Sequence, residues 1–289
     1  MPLPICFLNG EYLPLAEARV SPLDRAFLFG DAVYEVLPVY AGRPFRFREH
    51  FDRLARSLAA IRMLAPLSHA EWAAVCRELI ERNGGGDLTL YVQVTRGMEY
   101  GRNHAWPEGL APTLFAYASA LEPLPAHVLA RGVAAVTAPD VRWARRDIKS
   151  TALLANTLLK KLAADAGAFE TILLEQGELT EGSSTTVHVV QGGAIHTPPN
   201  GHHILSGTTR DVVTELAARS GIRSASRRVT EEELRGADEI WLAFATRGVL
   251  PVTRLDGKPV GSGKPGPLFE RMHAAFVAYV RELAGTPAL

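Results

Sequence analysis

Segments with strand-like and helix-like patterns alternate along the whole chain, and tight turns join some of the strands. Near the start, Asn9-Gly10 separates two short apolar runs, which is a strong hairpin signal. Apolar residues then recur at helical spacing over 49–63 and over 69–82, and three glycines end the second stretch. This mixture of hairpins and helices argues against a strictly parallel sheet and predicts mixed α and β domains.

The remaining pattern places the elements and suggests where the chain divides. Apolar runs bounded by turn residues predict strands over 33–40, 88–95, 113–117, 133–136, 168–174, 185–190 and 239–243. Further helices are expected over 152–166, 210–219 and 267–283. Two prolines within 121–125 indicate a linker. We therefore predict a smaller N-terminal α+β domain over 1–120, a linker over 121–126 and a larger C-terminal α/β domain over 127–289.

The charge balance limits the kinds of partner. The 289 residues include 31 Lys and Arg and 31 Asp and Glu, so the formal net charge is zero. A nucleic-acid or anionic-membrane partner would favour a basic excess, and we expect neither. The N-terminus lacks a signal-peptide pattern, and no apolar run reaches the ~20 residues that span a bilayer. We expect a cytoplasmic protein.

Cysteine and histidine usage indicates neither a disulfide framework nor a metal centre. The chain contains two cysteines, Cys6 and Cys76, which favours a reducing compartment. His202-His203 has no partners at metal-ligand spacing, so no metal site is predicted.

A lysine, Lys149, follows a charged segment over 142–148. Such a lysine is on its own typical of a solvated surface. Two later segments change the interpretation: Thr180-Glu181-Gly182 offers a carboxylate among small residues, and Gly207-Thr208-Thr209 offers hydroxyls and free backbone N–H groups at a helix start. A protein that holds pyridoxal phosphate needs an amine for the Schiff base, an acid for the ring nitrogen and an anion-binding helix end for the phosphate.

Each of these candidates also has a simpler interpretation. Glu181 suits a surface acid in a turn that enters a strand, and the threonines suit ordinary helix capping. Arg53 is a candidate for the same phosphate, but a surface pair with Glu49, four residues earlier on the same helix, explains it equally well. The residues alone leave these alternatives open.

A glycine-containing loop after the strand at 88–95 carries Arg102 and His104. A guanidinium binds a carboxylate through two parallel hydrogen bonds, so this pair is a candidate carboxylate clamp. Loops of this composition are also often merely solvated, and the residues alone do not decide between the two interpretations.

Taken together, these segments resemble the class IV, fold-type IV pyridoxal-phosphate aminotransferases, and most closely the D-amino-acid aminotransferase subgroup. The resemblance runs over almost the whole chain, and its most specific segments are Glu49-His50-Phe51-Asp52-Arg53-Leu54, Asp147-Ile148-Lys149-Ser150, Thr180-Glu181-Gly182-Ser183-Ser184 and Gly207-Thr208-Thr209-Arg210. It implies two domains, the larger with a mixed, barrel-like sheet, and a homodimer whose site is shared across the interface.

The resemblance also implies roles for single residues. Lys149 would form the Schiff base and carry the proton, and Glu181 would pair with the pyridine nitrogen. Leu205 would pack on the ring, and the phosphate would be held by Arg53, Thr208, Thr209 and Thr246. Tyr34, Arg102 and His104 would bind the substrate carboxylate, the last two from the neighbouring subunit.

The reaction implied by the resemblance is transamination between a D-amino acid such as D-alanine and a 2-oxo acid such as 2-oxoglutarate. The alternatives are an aminodeoxychorismate lyase, an (R)-selective amine aminotransferase or a branched-chain aminotransferase on the same fold. Outside these, a non-catalytic cofactor-binding protein or a cofactor-free aldolase that uses Lys149 stays open. One departure from the family pattern is the segment Phe244-Ala245-Thr246-Arg247, which replaces a run of Ser and Thr, so a phosphate contact from Ala245 is not expected.

Overall fold

The computed structural model describes residues 1–285, and the chain divides into two compact units. Unit 1 contains Met1–Glu122, Ile148–Ala152 and, of the described residues, 282–285. Unit 2 contains Pro123–Asp147 and Leu153–Arg281. Lys149 therefore belongs to unit 1, although the chain on both sides of its short segment belongs to unit 2.

Unit 1 is built on one antiparallel sheet. Its strands lie in the order β2-β1-β6-β5-β3-β4. The elements are β1 (Pro2–Leu8), β2 (Glu11–Pro14), α1 (Arg25–Phe29), β3 (Ala32–Tyr40), β4 (Arg43–Pro44), α2 (Phe47–Ala60), α3 (His69–Arg82), β5 (Leu88–Thr95) and β6 (Thr113–Ala120). The predicted hairpin between β1 and β2 is confirmed, with Asn9 and Gly10 both at positive φ.

Helices α2 and α3 bury apolar stripes in the core of unit 1. Phe51, Leu54 and Leu58 of α2 are each at most 2% exposed, as their spacing of three and four predicts. Ser68 and Glu71 form a capping box that fixes the start of α3 where the sequence predicts it. The core is completed by β3 and β5, whose inward residues include Val33, Leu37, Leu90 and Val92.

Unit 2 contains a curled, mixed sheet of nine strands with helices packed on it. Its elements are α4 (Ala126–Arg131), β7 (Val133–Pro139), α5 (Leu154–Asp165), β8 (Glu170–Glu175), β9 (Glu178–Gly182), β10 (Thr186–Gln191), β11 (Ala194–Thr197), α6 (Thr208–Arg219), β12 (Arg223–Ser226), α7 (Glu231–Arg235), β13 (Glu239–Phe244), β14 (Gly248–Leu255), β15 (Lys258–Pro259) and α8 (Pro267–Gly285).

The strand order in unit 2 is β12-β11-β10-β13-β14-β7-β8-β9, with β15 beside β14. Strand β7 runs parallel to both β14 and β8, and β11 runs parallel to β12, whereas the other pairs are antiparallel. The apolar interior includes Val187, Leu242 and Leu250, all fully buried. The predicted fold class, mixed α and β with a barrel-like mixed sheet in the C-terminal part, is confirmed.

One local prediction is wrong. Glu181 was expected in a turn, but it lies inside strand β9, which pairs antiparallel with β8. The segment Glu178–Gly182 is short, ends in glycine and contains two glutamates, so it lacks the β-branched run that marks a strand. None of the helices in the described residues combines the length and the apolar character needed to cross a membrane.

Candidate active site

Lys149 is fixed to strand β3 and helix α2 through its backbone. The N–H of Tyr34 donates to the carbonyl oxygen of Lys149 at 3.0 Å, and the next residue, Ser150, forms a β-bridge with Val33. The N–H of Lys149 donates to the Ser57 hydroxyl at 3.2 Å. Because both backbone groups are bonded within unit 1, the position of this lysine is set by the sheet and not by a free loop.

The side chain of Lys149 lies against an aromatic ring. Its Nζ is 4.4 Å from the centroid of Tyr34, a cation–π distance. The structure therefore brings together two of the sequence-predicted residues, the amine and the tyrosine.

Arg53 lies in a buried cluster with Glu35 and His50. Its Nε and Nη2 donate to the two carboxylate oxygens of Glu35 at 2.7 and 2.8 Å, and His50 Nδ1 is 2.7 Å from the same carboxylate. The alternative of a surface pair between Arg53 and Glu49 is wrong, since Arg53 is 4% exposed and Glu49 bonds to Arg46.

The charges in this cluster shift its pKa values. Burial alone would raise the pKa of Glu35, but the charge and hydrogen bonds of Arg53, assisted by His50, outweigh it and hold that pKa well below its usual range. Burial lowers the pKa of His50, with Glu35 opposing and the charges of Arg53 and Lys149 reinforcing the effect. The cluster thus keeps a carboxylate and a guanidinium ionised inside the protein.

Arg102 and His104 meet at one ring of unit 1. The Arg102 guanidinium is 5.3 Å from the centroid of Phe29, and the His104 ring centroid is 5.3 Å from that of the same phenylalanine. Both residues are exposed, as a clamp that acts on an external ligand requires. The predicted pair is therefore close together in the structure.

A buried arginine that the sequence analysis missed holds this loop. Arg25, 3% exposed, donates to the backbone carbonyls of Asn103 at 2.7 Å and His104 at 3.1 Å. It also pairs with Asp31 and Glu99, at 2.9 and 2.6 Å. Five donors on one rigid guanidinium make such multiple anchoring possible, so Arg25 fixes the backbone that carries His104.

Glu181 is a buried acid of unit 2 with several donors around it. It is 5% exposed, and Arg142 Nη1 donates to its Oε1 at 2.6 Å. The backbone N–H of Leu205 lies 3.3 and 3.2 Å from the two carboxylate oxygens. Burial outweighs the opposing charge and hydrogen bonds of Arg142 and the Leu205 N–H, and raises the pKa of Glu181 to about 7.

The start of helix α6 has no side-chain cap. Gly207 is the N-cap residue and supplies no side-chain acceptor, and Thr208 and Thr209 begin the helix with 7% and 4% exposure. A Cβ at residue 207 would lie 2.7 Å from the Thr186 hydroxyl, which is too close. Glycine at this position therefore lets the backbone pass next to Thr186. A helix N-terminus without a side-chain cap is suited to an anion.

Thr246 lies in the turn between β13 and β14, half-buried, with Phe244 and Ala245 before it. A threonine hydroxyl in such a turn can donate a hydrogen bond to an acceptor. Its contact with a phosphate stays a prediction.

Each unit, taken by itself, carries groups of the kinds that bind pyridoxal phosphate. Unit 2 offers a buried acid that burial makes weak, which a protonated ring nitrogen would complement, and an uncapped helix start with buried hydroxyls for a phosphate. Unit 1 offers the amine of Lys149 and the buried guanidinium of Arg53. The acid, the amine and the anion-binding groups are the types that this cofactor needs.

Comparison with known proteins identifies the family. A sequence model described as amino-transferase class IV matches residues 32–255. The chain is similar to the D-alanine aminotransferase of Bacillus licheniformis, with 41% identity over 267 residues covering 92% of this chain and 94% of the relative. It is 38% identical to the D-alanine aminotransferase of Staphylococcus aureus (strain MSSA476), covering 95% and 97% of the two chains.

Solved structures agree with this assignment. The branched-chain amino acid aminotransferase of Escherichia coli superposes with a TM-score of 0.89 at 27% identity, covering 96% of this chain and 94% of that one. A T.th. branched-chain amino acid aminotransferase, solved with pyridoxamine 5′-phosphate, has the same TM-score, identity and coverage. The chain therefore belongs to the class IV aminotransferases, which are pyridoxal-phosphate-dependent enzymes.

Proposed function

We propose that this enzyme transfers the amino group of D-amino acids, with D-alanine as a donor and 2-oxoglutarate as an acceptor. The main support is the similarity to D-alanine aminotransferases over more than nine-tenths of the chain. The observation that carries the proposal is the pair Arg102 and His104 at Phe29, a cationic group for the substrate carboxylate.

In this proposal each group has one task. Pyridoxal phosphate, when bound, supplies an aldehyde that reacts with amines and a ring that accepts the electrons of a broken Cα–H bond. Lys149 would bind the cofactor covalently through Nζ, and Glu181 would pair with the pyridine nitrogen. Leu205 would pack on the ring, and the phosphate would be held by Arg53, Thr208, Thr209 and Thr246.

The proton is carried by Lys149. Its Nζ is the base that would take the proton from the substrate Cα and would hold it for return to the carbon at the other end of the amino-group transfer. The backbone bonds from Tyr34 and to Ser57 support this role, because they fix the main chain from which the lysine side chain extends.

The substrate carboxylate is bound by Arg102, His104 and Tyr34. Arg102 offers a planar fork that matches a carboxylate, and His104 and the Tyr34 hydroxyl offer further donors. An amine without a carboxylate would lose these bonds, which makes the clamp a determinant of substrate class.

We also propose a homodimer in which Arg102 and His104 act in the neighbouring subunit. An apolar stripe supports association: Leu154, Leu158 and Leu162 of α5 are 75%, 63% and 46% exposed at a spacing of four residues. Light scattering with Leu158→Glu tests this, and we expect the mass of a dimer for the wild type and of a monomer for the variant.

Two further assignments belong to the same proposal. The free thiols of Cys6 and Cys76, both buried, support a cytoplasmic location. The segment 121–126 is proposed as the linker between folding domains 1–120 and 127–289, and limited proteolysis at this segment tests it.

The activity is tested by incubating the holoenzyme with D-alanine and 2-oxoglutarate and measuring pyruvate and glutamate together. We expect both products in equal amounts with D-alanine and neither with L-alanine. Pyruvate formation without an amino acceptor, or activity with L-leucine but not with D-alanine, would contradict the proposal and favour a lyase or a branched-chain enzyme.

A further inference from the structure

Glu181 is hydrogen-bonded to Arg142, which is itself hydrogen-bonded to Asp140. Neither Arg142 nor Asp140 is among the residues proposed to contact the cofactor. Arg142, which precedes the lysine segment, reaches Glu181 with one terminal nitrogen, at 2.6 Å. Its other two nitrogens both donate to Asp140: Nε to Oδ1 at 2.9 Å and Nη2 to Oδ2 at 2.6 Å. The guanidinium therefore has one orientation, set by Asp140, with Nη1 directed at Glu181.

Asp140 is itself fixed. Its side chain is fully buried, and Oδ2 also accepts from the Thr180 hydroxyl at 2.7 Å. The backbone N–H of Arg142 lies 3.2 Å from Oδ1. Thr180 is the residue before Glu181 on β9, so the same strand that carries the acid also holds the group that orients its arginine.

Because the Arg142–Glu181 pair is buried, the loss of Arg142 would change the protonation of Glu181. The Arg142 and Glu181 side chains are each 7% exposed. Without the guanidinium, the Glu181 carboxylate would be buried with no positive partner. Under those conditions a carboxyl group takes up a proton instead. A neutral Glu181 could not pair with a protonated pyridine nitrogen.

We propose that Arg142, oriented by Asp140, is a positioning residue that favours the ionised form of Glu181 and aligns its carboxylate for the cofactor's ring nitrogen. This inference rests on the proposed role of Glu181. It assigns to Arg142 no contact with the cofactor or the substrate, and its effect passes entirely through the Glu181 carboxylate.

The test is a double-mutant cycle on the dissociation constant (Kd) of pyridoxal phosphate. Arg142→Gln, Glu181→Gln and the double variant are freed of cofactor and titrated with pyridoxal phosphate, and bound cofactor is followed by its visible absorbance. Arg145→Gln is the matched control, because Arg145 lies in the same segment, pairs with Asp147 and is 41% exposed.

We expect Arg142→Gln to raise the Kd by about tenfold, since each pKa unit above the assay pH lowers the ionised fraction of Glu181 tenfold. Glu181→Gln removes the carboxylate itself and should raise the Kd at least as much. The double variant should bind no more weakly than Glu181→Gln, and the control should bind like the wild type. The same loss from Arg142→Gln with and without Glu181 would overturn the inference, and so would an unchanged Kd for Arg142→Gln.

The pH dependence of the cycle separates ionisation from structural damage. The charged groups that face Glu181 are Arg142 and Asp140, together with the Leu205 N–H dipole. Raising the pH returns a neutral Glu181 to its carboxylate, so the deficit of Arg142→Gln should shrink as pH rises, whereas that of Glu181→Gln should not. A deficit of Arg142→Gln that is constant with pH would overturn the inference.

If Arg142→Gln does not fold, Arg142→Lys replaces it in the cycle. Lysine keeps the charge but cannot bond to Asp140 and Glu181 with a rigid fork, so a smaller loss is expected, again absent in the Glu181→Gln background. A Glu181→Gln variant that binds pyridoxal phosphate as tightly as the wild type would refute the proposed role of Glu181, and the inference about Arg142 with it. Additive losses would refute the inference about Arg142 alone.

Discussion

The backbone N–H of Tyr34 donates to the carbonyl oxygen of Lys149 at 3.0 Å, and the Lys149 amine lies 4.4 Å from the centroid of the same tyrosine ring. One residue of strand β3 thus holds both ends of the lysine. The backbone of the proposed catalytic lysine is therefore bonded to a strand, whose geometry is more rigid than that of a loop.

Removing the Lys149 amine should abolish turnover without unfolding the protein. Lys149→Ala keeps the backbone bonds to Tyr34 and Ser57, so the unfolding temperature should change little. The rate with D-alanine should fall by at least roughly 10²–10⁴-fold, since the proton carrier is lost. The control is Lys161→Ala, whose side chain is 69% exposed on α5. Normal turnover by Lys149→Ala would refute its proposed role.

Truncating the proposed clamp should affect substrate binding more than chemistry. Arg102→Ala should raise the KM for D-alanine by about 10–100-fold, because the variant loses charge-assisted hydrogen bonds to the substrate carboxylate. The matched control is Arg48→Ala, an exposed arginine on α2. Steady-state kinetics with D-alanine measures both, and an unchanged KM for Arg102→Ala would remove the clamp from the account.

Weakening the hydrogen bonds that hold the loop of Arg102 and His104 should also raise the KM for D-alanine. Arg25→Lys keeps a charge near Asp31 and Glu99 but cannot bond to the carbonyls of Asn103 and His104 at the same time. We expect a KM several-fold higher and faster tryptic cleavage after Arg102, as an unanchored loop opens more often. Cleavage at the wild-type rate would show that Arg25 does not hold the loop.

The buried cluster around Glu35 should make stability depend on acid pH. Its folded-state pKa lies below the ordinary 4.5, so the ionised group stabilises the fold fully above that pH and progressively less as pH falls towards the folded value. Glu35→Gln should cost about 3–5 kcal/mol at neutral pH, because the buried guanidinium of Arg53 loses the negative charge of Glu35.

Urea unfolding across pH measures this effect. The stability difference between wild type and Glu35→Gln should shrink as pH falls below 4.5, whereas Glu78→Gln, with a side chain 41% exposed on α3, should change little at any pH. A difference independent of pH would contradict the account.

The start of helix α8 depends on a distant glutamate. Glu239 on β13 accepts from the backbone N–H groups of Leu268 and Phe269 at 2.9 and 2.8 Å, and from the Trp241 indole at 2.8 Å. Glu239→Ala should therefore destabilise the protein by about 1–3 kcal/mol per unsatisfied buried donor. Glu270→Ala, exposed in the first turn of the same helix, should lower the free energy of unfolding far less. Equal losses for the two variants in thermal unfolding would refute the role of Glu239 at the helix start.

Most helices and strands could be predicted because the signals that mark them, such as apolar spacing, caps and glycine runs, lie within or next to each element. The helix over 69–82 is confirmed as His69–Arg82, where an apolar stripe, a capping box and a glycine run coincide. The strand that carries Glu181 was missed because its pairing with β8, and not its composition, makes it a strand.

Contacts between residues far apart in sequence account for what could not be predicted. Arg25 meets the loop 78 residues later at Asn103, and Arg142 meets Glu181 39 residues later, and neither spacing carries a pattern. Glu35 and His50 join Arg53 only because α2 packs on β3. For Lys149, Glu181 and Thr208, the resemblance to the family supplied the roles, which stay predictions.

The most direct test of the central claim is the visible spectrum of the purified holoenzyme, recorded before and after D-alanine or L-alanine is added in separate cuvettes. We predict that D-alanine alone removes the absorbance of the lysine-bound cofactor and that 2-oxoglutarate restores it. A response to L-alanine but not to D-alanine, or an unchanged spectrum with both, would contradict it.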